Sequence, residues 1–136
     1  IGMNLAKQGG KAVYGLEEIE TAVEDARRNA ERNQVAHCHF RAGKVEHVLP
    51  ELFAETPPDL MVVDPPRAGL HPKAVRLILD NPAPQLIYVS CNPAALVRDL
   101  ELLASLYTPE VIQPVDLFPQ TAHLETIVKL KRKAQD

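Results

Sequence analysis

Short apolar runs, each leading into a stretch with helical spacing, set the rhythm of this chain. Leu60-Met61-Val62-Val63 and Leu86-Ile87-Tyr88-Val89 are continuous and rich in β-branched or aromatic residues, so both read as buried strands. Ala12 to Leu16, His37 to Arg41, Val111 to Leu117 and Thr126 to Leu130 complete the predicted strands. Between them lie helical patterns. Ile19, Ala22, Val23, Ala26 and Ala30 follow a helical stripe that ends near Asn33, with Glu24/Arg28 and Arg27/Glu31 as i,i+4 pairs on its wet face. Val45 to Phe53 and Pro72 to about Asp80 predict two more helices, each bounded by prolines. Behind Pro93, Leu96, Leu100 and Leu103 fall on one helical face. Gly2 to Gln8 reads as the latter half of a helix stopped by Gly9-Gly10. Strands that alternate with helices imply an α/β protein, a mostly parallel sheet with helices on both faces.

Composition narrows the class. At 136 residues the chain is one domain's worth, and its 46% hydrophobic content suits a globular core. No run approaches the roughly 18 apolar residues of a membrane helix. Ile1-Gly2-Met3-Asn4 lacks the charged leader of a secretory signal, so the expected compartment is cytoplasmic and Cys38 and Cys91 are expected to be reduced. The net charge of −3 gives no basic surface overall, so contact with a nucleic acid would rest on a local patch such as Lys129 to Lys133, or on residues elsewhere.

The candidate chemistry lies where the apolar runs stop. Ser90-Cys91-Asn92 follows the Leu86 strand and precedes a helix, at the carboxyl end of a strand where open α/β sheets bind ligands. A helix N-terminus there favours negative charge, although an unpaired cysteine also serves simply as a small buried hydrophobe. The Leu60 strand ends in Asp64-Pro65-Pro66-Arg67, whose prolines stiffen the loop that presents Asp64. His123-Leu124-Glu125 supplies a possible base before the last strand. Glu17 closes the first predicted strand, either as a grip for a ribose hydroxyl or as a carboxylate favoured at the start of a helix. His37 and His39 share a strand face, but nothing nearby completes a metal ligand set, and no metal site is expected.

Three segments together resemble the S-adenosylmethionine-dependent RNA uracil-5-methyltransferases, which make 5-methyluridine in ribosomal and transfer RNA. They are Asp64-Pro65-Pro66-Arg67-Ala68-Gly69-Leu70, Tyr88-Val89-Ser90-Cys91-Asn92-Pro93, and Asp116-Leu117-Phe118-Pro119-Gln120-Thr121-Ala122-His123-Leu124-Glu125. The resemblance implies the class I, Rossmann-like methyltransferase fold with S-adenosyl-L-methionine as cofactor. It implies Cys91 as nucleophile and Glu125 as general base. Glu17 and Asp64 would stand on the cofactor side, and Arg67, Asn92, Gln120 and His123 on the substrate side. RNA is the implied partner, with 23S ribosomal RNA preferred over transfer RNA. The family's first strand, its glycine-rich loop and its N-terminal RNA-binding module have no counterpart here. The expectation is therefore the carboxyl-terminal part of a longer methyltransferase, inactive alone and with an open sheet edge available for self-association. Lys44 stands where many methyltransferases carry an acid near the adenine.

Other readings fit less of the chain. A cysteine phosphatase needs a phosphate cradle one residue shorter than the interval from Cys91 to Arg98, with glycine inside it. A nucleic-acid amino-methyltransferase would use the Asp64-Pro65-Pro66 loop and no cysteine, and would want an aromatic residue where Arg67 stands. A non-catalytic RNA-binding paralogue would have no need of both Cys91 and Glu125.

Overall fold

The computed structural model describes residues 1–134, which form two compact units, Ile1–Leu52 and the remainder from Phe53. In the first unit helix α1 (Gly2–Lys7) is followed by strand β1 (Val13–Glu17), helix α2 (Glu20–Arg32) and strand β2 (Cys38–Ala42). The strands pair in parallel from Val13↔Cys38 to Glu17↔Ala42. Their core is small: Ala6, Ala30 and Val35 are buried, with Met3, Val13, Cys38 and Phe40 packed against them. Burial there raises the pKa of the Cys38 thiol above its ordinary value. Helix α3 (Val45–Glu55) runs across the division between the units.

The second unit contains strand β3 (Leu60–Val63), helix α4 (Pro72–Asp80), strand β4 (Gln85–Ser90), helix α5 (Pro93–Leu103) and strands β5 (Tyr107–Val115) and β6 (Glu125–Arg132). The strand order is β3-β4-β6-β5. β3 and β4 are parallel, from Leu60↔Gln85 to Val63↔Tyr88, and β6 runs antiparallel to both β4 and β5. Strand alternation sorts the side chains: Leu86, Tyr88 and Ser90 of β4 are buried while Ile87 and Val89 between them are half-exposed. The buried face meets Val75 and Ile78 of α4, Leu96 and Leu103 of α5, Tyr107 of β5, and Val128 and Leu130 of β6 in one cluster. Both helices therefore lie on that face of the sheet.

The α/β class inferred from the sequence is the one observed, and β3 and α4 have the predicted limits. Two segments differ. β5 begins at Tyr107 rather than Val111, because the Tyr107 ring is buried and its hydroxyl donates to the Ala83 carbonyl at 2.9 Å, which anchors the strand upstream of an irregularity between Pro109 and Val111. The basic stretch at the end is no loose tail. It continues β6 to Arg132, and its cations have protein partners: Lys129 Nζ lies 3.0 Å from Glu110 Oε2, and Lys133 Nζ donates to the Ala104 carbonyl at 2.5 Å.

Candidate active site

The sheet register brings the sequence candidates of the second unit to one end. The antiparallel ladder of β4 and β6 closes with Ser90↔Thr126, so Cys91 and Glu125 are the next residues along the two neighbouring strands. Opposed residues of such a ladder lie ~4.5–5.5 Å apart at Cα. Asp64 follows the last residue of β3, the strand on the other side of β4, at its carboxyl end. Nucleophile candidate, base candidate and proline-stiffened acid thus stand on three adjacent strands at the same sheet edge. Cys91 and Glu125 are half-buried, whereas the Asp64 side chain is exposed.

Local hydrogen bonds fix the turn that carries Cys91. The buried Ser90 Oγ accepts from the Asn92 amide at 3.1 Å and lies 3.0 Å from the Asn92 carbonyl, to which it donates. Asn92 is the N-cap of α5: its Oδ1 accepts from the Ala94 amide at 3.1 Å, and Pro93 occupies the first helical position, where its missing N–H costs nothing. Nδ2 of Asn92 donates to the Arg67 carbonyl at 2.9 Å and ties the cysteine turn to the Asp64 loop. The expected substrate-side role of Asn92 is therefore joined by a structural one.

A second tie closes the site from the β5–β6 connection. Thr121 folds this loop, with both its amide and Oγ1 donating to the Phe118 carbonyl at 2.9 Å, and its Oγ1 accepts from the His123 amide at 3.2 Å. His123 Nδ1 then lies 3.1 Å from Arg67 Nη2. A guanidinium can only donate, so Nδ1 is the acceptor and the ring proton sits on Nε2. Gln120 is exposed on the same loop, two residues before the glycine-free turn reaches Ala122.

Glu17 belongs to the first unit. It closes β1 as expected, and its Oε1 accepts from the Ile19 amide at 3.0 Å ahead of α2. Of the two readings of this residue, this hydrogen bond ahead of α2 is the one expected of a carboxylate at a helix start. Lys44 lies just ahead of α3, beyond Gly43, whose amide donates to the Glu17 carbonyl at 2.9 Å.

The sequence reading missed Asp99. This carboxylate in α5 is fully buried, and it gathers Leu70, Tyr88 and Arg98 around itself. The signal was present, since Asp99 interrupts the apolar stripe between Leu96 and Leu103. Burial first, then the hydrogen bond and negative charge of Asp99, hold the Tyr88 phenol well above the usual tyrosine range.

Sheet and helices define a Rossmann-like α/β fold of the kind methyltransferases share. The same fold, at 15% identity and a TM-score of 0.73, occurs in an rRNA methylase from Streptococcus thermophilus, with 97% of this chain and 79% of that one covered. Residues 53–133 match the model of the tRNA (uracil-5-)-methyltransferase family, and the chain belongs to that family. A protein of Listeria monocytogenes described as an RNA methyltransferase is 49% identical over 124 residues, 90% of this chain and 27% of its own length. The crystal structure of Pyrococcus abyssi tRNA (uracil-54, C5)-methyltransferase in complex with S-adenosyl-L-homocysteine superposes with a TM-score of 0.81 at 38% identity, covering 95% of this chain and 31% of that one. The chain thus spans about three tenths of the length of these relatives.

Proposed function

We propose that this chain is the nucleophile-bearing part of an enzyme that methylates C5 of a uridine in RNA, with S-adenosylmethionine as the methyl source. The observation that supports this reading is the β4–β6 register, which leaves Cys91 and Glu125 side by side on adjacent strands beyond Ser90↔Thr126. Family membership and the S-adenosyl-L-homocysteine bound by the Pyrococcus relative support the choice of donor. Within the second unit, the exposed carboxylate of Asp64 at the end of β3 would accept from the hydroxyl or ammonium donors such a ligand carries, and Glu17 is the corresponding strand-end candidate of the first unit, taken by itself.

The uracil C5 is too weak a nucleophile to take a methyl group unaided. In the proposed mechanism the Cys91 sulfur bonds to C6, and the electron pair displaced from the C5–C6 double bond makes an enolate that is nucleophilic at C5. The donor supplies the methyl group that C5 takes up. Glu125 then removes the C5 proton, the double bond re-forms, and the C6–S bond breaks to return the thiolate. A base approached on both faces must leave its stack, so a loop or a flipped nucleotide is the substrate form. Arg67, hydrogen-bonded to His123 and mounted on a stiff loop, would in this reading meet a phosphate or a uracil carbonyl.

The test uses the intact protein and RNA containing 5-fluorouridine, whose C5 fluorine cannot be removed as a proton. A covalent protein–RNA adduct that survives denaturation and disappears in Cys91→Ala is the expected result. No adduct with the parent protein would favour the RNA-binding paralogue instead. With unmodified RNA, Glu125→Gln is expected to accumulate adduct and to release product far more slowly than the parent. Mapping 5-methyluridine in ribosomal and transfer RNA of a strain without the gene identifies the substrate.

A further inference from the structure

We propose that Asp99 is a positioning residue for this site, holding the Arg67–Leu70 segment in the shape that presents Arg67. The inference rests on the functional reading above and adds a residue that touches neither substrate nor donor.

The backbone of this segment is tied down almost atom by atom, and most ties come from α5 or its cap. The Gly69 amide donates to the Pro66 carbonyl at 2.8 Å, a tight turn closed within the loop itself. The Arg67 carbonyl accepts from Asn92 Nδ2 at 2.9 Å, the Ala68 carbonyl accepts from Arg98 Nη2 at 2.8 Å, and the Leu70 amide donates to Asp99 Oδ2 at 2.6 Å. Asp99 is the hub. Its Oδ2 also accepts from the Tyr88 hydroxyl at 2.6 Å, while its Oδ1 takes Nε and Nη2 of Arg98 at 3.0 and 2.7 Å, which aims that guanidinium at Ala68. Gly69 completes the fit. Its φ of +84° suits glycine, and an added Cβ would stand 2.5 Å from Asp99 Oδ2 and collide with Arg98 Nη2.

The chemistry of the hub is selective for a carboxylate. Every group that reaches it is an N–H or O–H donor, so an asparagine of the same shape would turn its own NH2 against donors on one side. A buried charge with this many partners offers little stability beyond an apolar residue of the same volume. Its distinctive contribution is directional: it sets the path of a loop that leaves Asp64 and carries Arg67 into contact with His123. Displacements of order 1 Å in such a loop are enough to cost roughly 10²-fold in rate.

The experiment compares Asp99→Asn with the parent in the intact protein, alone and combined with Arg67→Ala, measuring kcat, KM for RNA and amide hydrogen exchange. Asp99→Asn is expected to lower kcat about 10- to 100-fold. In the Arg67→Ala background the same change is expected to cost less than about 3-fold, because the group it positions is already gone. Exchange at the Leu70 and Gly69 amides should accelerate while Val128 and Leu130 stay protected. Equal losses in both backgrounds, or unchanged kcat per folded molecule, would overturn the proposal. Should Asp99→Asn not fold, Arg98→Lys carries the same comparison, since this half-exposed side chain would lose one of its two simultaneous grips, on Oδ1 or on Ala68. A parent protein that forms no adduct with RNA defeats the functional reading alone. The exchange measurement then still decides whether Asp99 holds the loop.

Discussion

The two units of this chain solve the same folding problem with unequal means. From Ile1 to Leu52 the clustered core around two parallel strands is made of Ala6, Ala30 and Val35, Val23 is the one completely buried large side chain among the described residues, and Tyr14 stays exposed, stacked on His39 at 5.1 Å. From Phe53 onward Leu86, Leu103 and Val128 are completely buried among two tyrosines, and a charged hub lies inside the same layer. Two-stranded sheets are marginal without strong packing against a helix. The lesson is one of placement. The Asp64, Cys91 and Glu125 positions all stand on the unit with the deeper core, where a sheet end can be held still.

The sharpest way to break this contrast is to excavate each core. Leu103→Ala removes a fully buried side chain from the second unit and is expected to cost about 2–5 kcal/mol. Val35→Ala, in the thin core of the first unit, is expected to cost only ~1.5 kcal/mol, as two methyl groups leave a site already 8% exposed. Urea unfolding of both variants measures the difference. Equal losses would mean that the first unit is as tightly packed as the second and that the contrast is one of residue size alone.

A subtler separation comes from alkaline pH, because both buried tyrosines, Tyr88 and Tyr107, belong to the second unit. Burial raises the pKa of each, and Asp99 adds to the effect at Tyr88. An unfolded tyrosine loses its proton near pH 10. Below that pH the contribution of these groups to stability is fully present. As pH rises above it, the unfolded chain releases protons that the native fold still holds, and stability falls until the folded-state pKa is passed. Tyr88→Phe is expected to cost about 1.5–3 kcal/mol at neutral pH through the lost hydrogen bond to a charged acceptor. It should also flatten the alkaline decline of the urea midpoint. A decline as steep as the parent's would assign it to other groups.

Legibility in the sequence followed the same division of labour. Apolar runs and prolines located β3, α4 and the start of α5, because in these segments local propensity and packing demand the same thing. Cys91, Asp64 and Glu125 were visible because polar residues stood abruptly at the ends of apolar runs. What escaped was set by partners distant in sequence. β5 starts at Tyr107 because of a bond to Ala83, which no pattern near Pro109 announces. Asp99 breaks the apolar stripe of α5, but what it binds, Leu70 and Tyr88 from two other segments, no local pattern shows. The pairing of Arg67 with His123 likewise joins residues 56 positions apart, and spacing alone could not foretell it.

The smallest expected effect tests whether surface charge helps hold the outer strands of the second unit. Glu110 faces Lys129 at 3.0 Å and Lys131 at 3.9 Å across the β5–β6 pair, with all three side chains substantially exposed. Exposed pairs of this kind are worth about 0–1 kcal/mol and weaken further as salt screens them. The ladder itself runs from Tyr107↔Arg132 to Val115↔Glu125 with a register that skips Glu110, and the buried Val128 and Leu130 belong to the core cluster without it. Glu110→Gln should therefore shift the urea midpoint only slightly, and the shift should vanish in high salt. A loss above about 1 kcal/mol that persists in high salt would give these charges a share in the second unit's stability that exposed pairs do not have.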